Sequence, residues 1–450
     1  MNSSDASDLS GLLRLPSLKV TGSYHDADKH DALIVQVESV SPAPKYQCCL
    51  IPIIVKNGRK TIRYRDFPIQ DQRVWLELKR QRFDCQFCHT TLYEPLPDLD
   101  SEFRMTTRFR VFVEKKSVDL TFVDAARTCG VDDRLVGRVF DAFAKETIDH
   151  YIPCLPRVVG MDEKFIQGKP RFVIGDVEKK RLLDIRETRT LDTLKVYIDT
   201  LEGRSRVEVV CQDMWDPYRI LTKTLLPNAV TVIDKWHVQR NGNYGVENVR
   251  KALGRNIEDD KDRRYIRRLA KPLLIRWPTA NEERRSWLTK VFTRFPALGE
   301  AYFVKERFYD IYLAETRSEA EALLTKWMNS VPADMAVAFK PATSAIKGWR
   351  PHILRYFEHR YTSGYVEGTN GLVDKLNHAA AGMDFDRLRQ KALLKFGHFR
   401  DERKPPSYVS QFEQLYAEKD GHRNWVQDGP LYGEGIDLST FTDAFDHDWF

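Results

Sequence analysis

The sequence predicts an α/β protein: one mixed sheet flanked by helices and interrupted by a large helical insertion, preceded by a small β-rich module and a helix-turn-helix. Three observations carry this. Short apolar runs broken by Gly, Asn and Pro fill the first hundred residues; β-type runs return after Pro153 and Pro156 and then alternate with helical ones; and between about residues 245 and 360 the strand signal gives way to helical spacing.

A chain of 450 residues, 42% hydrophobic and 30% charged, is long enough to bury a large core in more than one domain. The net charge of +6 is small for this length. Lys and Arg nevertheless cluster, as in "KDRRYIRRLAK" (261–271), so nucleic acid is a permitted partner. No apolar run approaches the roughly twenty residues of a membrane span, and "MNSSDASDLS" is polar and acidic, unlike a signal peptide. A cytosolic protein is expected. Seven cysteines in so long a chain do not make a disulfide framework, so Cys85 and Cys88 read better as metal ligands than as bridge halves.

Residues 1–100 form the β-rich module, with "ALIVQVESV", "CCLIPIIV", "TIRYRDFPI" and "RVWLELKRQRFDC" as strands. Within it, Cys85 and Cys88 of "CQFCH" have the two-residue gap that lets both sulfurs grip one tetrahedral zinc from a tight turn, with His89 beside them. The upstream pair, Cys48 and Cys49, is adjacent, an arrangement that strains a shared ion. The module reads as zinc-ribbon-like, with buried free thiols as the alternative. Residues 101–150 hold the helical pair. In "DLTFVDAARTCGVDDRLVGRVFDAF" (119–143), Ala126, Gly130 at the turn, Asp132 as N-cap and Val136 have helix-turn-helix spacing. The second helix would lie in the major groove and offer Asp133, Arg134, Gly137 and Arg138 to DNA; a hairpin without DNA is the alternative.

Residues 151–400 carry the main domain. The strands "RVVGMDE", "RFVIGDV" and "RLLDIRE" are followed by the helix "TLDTLKVYIDTL", the strand "RVEVVCQD", a helix after Pro217, the strand "AVTVIDKWH", a long helix and the insertion at about 245–360. Asp162 and Asp213 each end an apolar run, which places them at the sheet rim where ligands bind in open α/β folds. Glu367, in "YTSGYVEGTN", opens the helix after the insertion. If the three meet, they can hold two divalent cations roughly 3.5–4 Å apart, the arrangement that clamps both oxygens of a reacting phosphodiester. Oxygen ligands favour magnesium or manganese. The order of strands and helix around these acids is the one a ribonuclease-H-like fold requires. Asp234 and His237 in "VIDKWHV" end the next predicted strand and so line the same rim, with a helix cap and a packed histidine as the alternative. With 65 acidic residues, surface carboxylates or caps are the alternative for the three acids too. Residues 401–450 are a polar tail, acidic at its end.

These residues together resemble the DDE transposases of the ISL-three insertion-sequence family. The resemblance runs from "LLRLPSLKV" to about Phe399 and is strongest in "VVGMDEKF", "VVCQDMWDPYR", "VIDKWHVQR", "ERFYDIYLAETRSEAEALLTKW" and "GWRPHILRYFEHRYTSGYVEGTNGLVDKL". It implies that Asp162, Asp213 and Glu367 are the catalytic acids and hold Mg2+ or Mn2+, that Asp234 and His237 flank them, and that the region from Cys48 to Cys88 binds zinc. It further implies an enzyme that cuts at the terminal repeats of its own element and transfers the freed 3′-hydroxyl into target DNA. The implied partner is double-stranded DNA at the nucleoid, and the implied assembly a homodimer or larger. Two other readings are a DNA-binding protein that does not cut, such as a regulator or domesticated relative, and a structure-specific nuclease.

Overall fold

The computed structural model describes residues 13–26, 32–40, 48–69, 72–94, 96–380 and 382–400. The tail expected at 401–450 lies outside the described residues. The chain forms two compact units: one of the residues up to Tyr151 together with Ala379–Lys395, the other with Ile152–His378 as its body.

In the first unit, strands β1 (Leu18–Asp26), β2 (Ala32–Ser39), β3 (Ile54–Ile69), β4 (Gln72–Cys85), β6 (Leu99–Asp100) and β7 (Met105–Thr106) lie in the order β1-β2-β4-β3-β7-β6, and β5 (Thr91–Tyr93) pairs with β4. Period-two alternation explains the burial: Val74, Leu76 and Leu78 of β4 point one way and meet Val20, Val35, Val37 and Tyr64 in a shared core. The stretch "CCLIPIIV" is not the continuous strand expected. Pairing of β3 with β4 starts only at Ile54, opposite Cys85, because Pro52 has no N–H to give a ladder and the cysteines ahead of it bend the chain.

Three helices follow, Thr107–Asp119, Phe122–Cys129 and Asp133–Ile148. The turn between the last two is built as the sequence predicts: Gly130 ends one helix with φ +66°, a left-handed conformation that suits glycine, and Asp132 caps the next by accepting from Leu135 N at 2.8 Å. Ala126 and Val136 pack together with Phe109, Val113 and Val139. Gly137, expected to face DNA, is instead buried beside Phe122, since it falls on the inward side of its helix. Most of the helix Phe385–Phe396 also belongs to this unit, although the sequence groups it with 151–400. Arg387 forks onto Asp141 at 2.9 and 2.7 Å, and Lys391 donates to the carbonyl of Leu120 and lies over the Phe122 ring.

The second unit is built on a five-stranded sheet, β10 (Arg181–Arg186), β9 (Lys169–Asp176), β8 (Val158–Ile166), β11 (Val209–Gln212) and β12 (Val230–Ile233), in that spatial order. β8, β9 and β10 form an antiparallel meander, whereas β11 runs parallel to both β8 and β12. Helices Leu191–Thr200 and Asp216–Leu225 share a core with one set of sheet residues, including Val159, Met161, Phe172 and Val210. The intervening residues Val158, Val209, Cys211 and Val232 pack instead with the helix Lys235–Arg255 and the insertion, through Phe308, Trp327, Phe339 and Ile353. From Lys235 to His359 the regular elements are all helical, as the loss of strand signal predicts. No helix among the described residues is long and apolar enough to cross a membrane.

Candidate active site and metal centre

The parallel pairing of β8 with β11 stops at Gly160, opposite Cys211, while the antiparallel pairing of β8 with β9 continues to Ile166. Asp162 is therefore not at the end of its strand, as the sequence suggests, but just past the end of the parallel pairing. Asp213 directly follows β11. Asp234 follows β12 and, with His237, belongs to the helix Lys235–Arg255 rather than to the strand: Asp234 is the N-cap and His237 lies in the first turn. Glu367 lies in the first turn of the helix Gly364–Ala379.

Two glycines let that helix sit down on the sheet. Gly160 and Gly175 are cross-strand partners, and a methyl group on them would stand 2.5 and 3.1 Å from Val366 Cγ2, one residue before Glu367. An ion pair between Lys164 and Asp374 holds the same helix further along.

His237 joins the acids. Its Nδ1 lies 3.3 Å from Asp213 Oδ1, and its Nε2 lies 3.4 Å from Glu367 Oε1 and 3.9 Å from Asp162 Oδ1. The imidazole thus stands with Asp213 on one side and the other two carboxylates on the opposite side. Asn370, one turn after Glu367, donates to Asp162 Oδ2 at 2.7 Å, and Tyr218 donates its hydroxyl to the Asp162 carbonyl at 3.2 Å. Asp234 has both carboxylate oxygens engaged: Oδ1 accepts from Trp236 N at 2.7 Å, and Oδ2 accepts from both the N–H and the hydroxyl of Ser363, the latter at 2.9 Å. It fastens the approach to the Glu367 helix onto the start of the His237 helix. Both sequence readings of Asp234 hold in part, since it is a cap and it borders the acids.

The electrostatics follow from this crowding. Burial, with help from Glu367 and Asp213 and against the pull of His237, pushes the Asp162 carboxyl up to about 8. Burial alone would lower His237, but the carboxylates of Asp213, Glu367 and Asp162 outweigh it and raise the imidazole to about 10. Glu367 is raised by burial and by Asp234 and lowered by His237. One imidazolium among so many acids leaves the cluster short of positive charge. His237 Nε2, Glu367 Oε1 and Asn370 Oδ1 are buried without a hydrogen-bond partner among the described residues. Carboxylate and amide oxygens in that state fit a hard divalent cation. Asp213, with 40% of its side chain exposed, opens the cluster to solvent, beside a cavity of about 400 Å3 lined by Arg240, Tyr244 and Trp349.

The cysteines form a second centre. The Sγ atoms of Cys48, Cys49, Cys85 and Cys88 all lie within 4.8 Å of one another, with separations of 3.9 Å (Cys48 to Cys49), 3.8 Å (Cys49 to Cys85) and 3.6 Å (Cys48 to Cys88). Zn–S bonds of about 2.3 Å in a tetrahedron put sulfurs about 3.8 Å apart, so the four fit zinc despite the adjacent pair. The downstream pair sits in a tight knuckle: His89, at φ +57°, donates its N–H to Cys85 O at 2.9 Å, and its side chain is not part of the four-residue cluster. The N–H groups of Cys88, Phe87 and Ile53 draw Cys85 down to about 6, while desolvation and the neighbouring thiols hold Cys48 up at about 12. Cys85 and Cys88 are thus readied to give up protons to a cation, whereas Cys48 and Cys49 hold theirs until one binds.

On the helix Asp133–Ile148, Asp133, Arg134 and Arg138 are exposed, as a DNA-facing role requires. Sequence reasoning missed Asn370 and Ser363. The first could have been found from its spacing, three residues after Glu367 and so on the same helical face; the second is 129 residues from its partner and left no local signal.

Three family models match the chain in the order of these parts. A zinc-finger of the transposases IS204, IS1001, IS1096 and IS1165 matches residues 47–88, a helix-turn-helix domain of transposase family ISL3 matches 94–144, and an ISL3 transposase model of the DDE type matches 159–392. The chain is also 22% identical over 326 residues, 71% of its length and 80% of the relative's, to the transposase for insertion sequence element IS1001 of Bordetella parapertussis. The class is thereby settled as insertion-sequence transposase. The chain belongs to the ISL3, or ISL-three, family.

Proposed function

We propose that this transposase cuts DNA at the ends of its own element and joins the freed 3′-hydroxyl to target DNA, with Asp162, Asp213 and Glu367 as the catalytic acids. The observation that carries this is the meeting of all three carboxylates on one imidazole from three separate elements. An antiparallel meander followed by two parallel strands, with acids at the rim, supports a ribonuclease-H-like reading of the second unit.

Hydrolysis adds water across a P–O3′ bond and leaves a 3′-hydroxyl and a 5′-phosphate. That hydroxyl then attacks a target phosphorus, and a target 3′-oxygen leaves. Mg2+ or Mn2+ bound to Asp162, Asp213 and Glu367 would supply Lewis-acid activation of the attacking and leaving oxygens. The chain's own groups prepare the site. Asn370 fixes the rotamer of Asp162, Asp234 locks the two helix starts together, and the His237 imidazolium offsets part of the repulsion among the acids. The proton that burial holds on Asp162 at neutral pH must leave when a cation binds there. The helix Asp133–Ile148 would read the element end in the major groove, and handling two ends at once calls for a dimer or larger assembly.

The test is cleavage of DNA carrying the element's ends in Mg2+ or Mn2+. Asp162→Asn and Glu367→Gln should each lower cleavage by on the order of a thousandfold while end binding is retained. A wild-type chain that binds those ends yet cuts with neither metal would instead be a DNA-binding protein.

A further inference from the structure

A groove of about 1080 Å3 lies far from the acids in sequence, within the first unit, between β3, β4, the turn at 101–104 and the start of the helix Asp133–Ile148. Seven lysines and arginines line it against two carboxylates, Glu102 and Asp132. Arg63 is neutralised by Asp26 and Glu77, each at 3.0 Å, and Asp132 reaches only Arg65, at 3.7 Å, while capping its helix. Lys60, Arg80, Arg104, Arg134 and Arg138 have no carboxylate partner among the described residues.

Arg80 is the most telling of these. It is only 8% exposed, yet its guanidinium donates to neutral acceptors alone: Tyr64 Oη at 2.9 Å, Ser101 Oγ at 2.8 Å and the Glu94 carbonyl at 2.7 Å. Its Nε has no partner. A buried cation held this way keeps its full charge, which the low-dielectric walls focus into the groove. Three guanidinium groups are also held over aromatic rings: Arg65 over Trp75 at 4.9 Å, Arg80 over Tyr93 at 5.2 Å and Arg138 over Phe103 at 5.6 Å. Charges fixed in place before binding suit a ligand with regularly spaced anions.

We propose that the groove seats the sugar–phosphate backbone of duplex DNA, so that the β3–β4 hairpin and the recognition helix grip DNA as one surface. This rests on the reading that the helix Asp133–Ile148 enters DNA. Phosphate contacts carry no base information, so the groove contributes affinity and register while the helix contributes preference for the element end.

The experiment uses the full chain with fluorescence anisotropy on an element-end duplex and an unrelated duplex of equal length, across a salt series. The double variant Arg65→Gln/Arg104→Gln, whose residues lie off the helix, should weaken binding to both duplexes by a similar factor, on the order of tenfold. It should also make the log–log salt slope shallower by about 2, at roughly 0.9 per lost phosphate contact. Arg65→Lys/Arg104→Lys should keep the wild-type slope. Gln variants that bind like wild type at every salt, beside an Arg134→Ala variant that loses preference for the element end, would overturn the groove and leave the helix reading intact. No change in any variant would overturn both. If the Gln pair fails to fold, Lys60→Gln at the exposed edge carries the same test with a slope change of about 1, and an unchanged slope overturns the proposal.

Discussion

His237 sets the charge of the acids around it, and they set its own. Asp162 moves from its ordinary 3.8 to about 8 and His237 from 6.5 to about 10. Both groups hold protons more tightly in the folded chain than in the unfolded one. For each, the stabilisation is fully present below the unfolded value and is lost as pH rises through the folded value, so stability falls up to about pH 8 through Asp162 and on to about pH 10 through His237. Without added divalent ions, the melting temperature should therefore drop between about pH 6 and pH 8, and Asp162→Asn should flatten that drop, as scanning calorimetry would show. A flat profile in the wild type would mean that the cluster does not hold these protons. Much of this site was legible in the sequence, because each acid follows an apolar run or opens a helix. His237 was placed at the rim, but that it touches three acids at once depends on where three distant segments meet.

At the scale of elements, the contact between Val366 and the glycine pair sets how deeply the Glu367 helix seats. Gly160→Ala would drive a methyl group into Val366 and Val177, at a cost of roughly 1–3 kcal/mol and with a shift of Glu367 away from His237. Cleavage should fall by about a hundredfold with end binding unchanged, and Val366→Ala in the same chain should recover part of it by clearing the space. Strands and helices were readable wherever one face is buried. The exceptions are local chemistry: Pro52 delays β3, and Asp234 turns the end of "AVTVIDKWH" into a helix start. The cysteine knuckle is an element of the same kind. Zinc should be found at one ion per chain by elemental analysis, and Cys85→Ser or a strong chelator should remove it and expose the upper β3–β4 hairpin to protease, while β1 and β2 stay protected.

Across the whole molecule, the sequence marks the order of parts well and their grouping less well. The long helical insertion was legible from spacing alone. The return of Phe385–Phe396 to the first unit was not, because Lys391 and Arg387 find partners more than two hundred residues earlier. That return bears on how the chain is made. The unit containing the helix-turn-helix receives its last helix only after Ile152–His378, the body of the second unit, has been made, so it cannot complete itself as an early, independent folding event. An N-terminal fragment ending at Tyr151 lacks the partner that caps Phe122 and Asp141, and it should melt several degrees below the same fragment supplied with residues 379–400. Premature termination before Phe385 would then yield a poor competitor for element ends, and full DNA-binding strength would come only after all three acids of the site have been made.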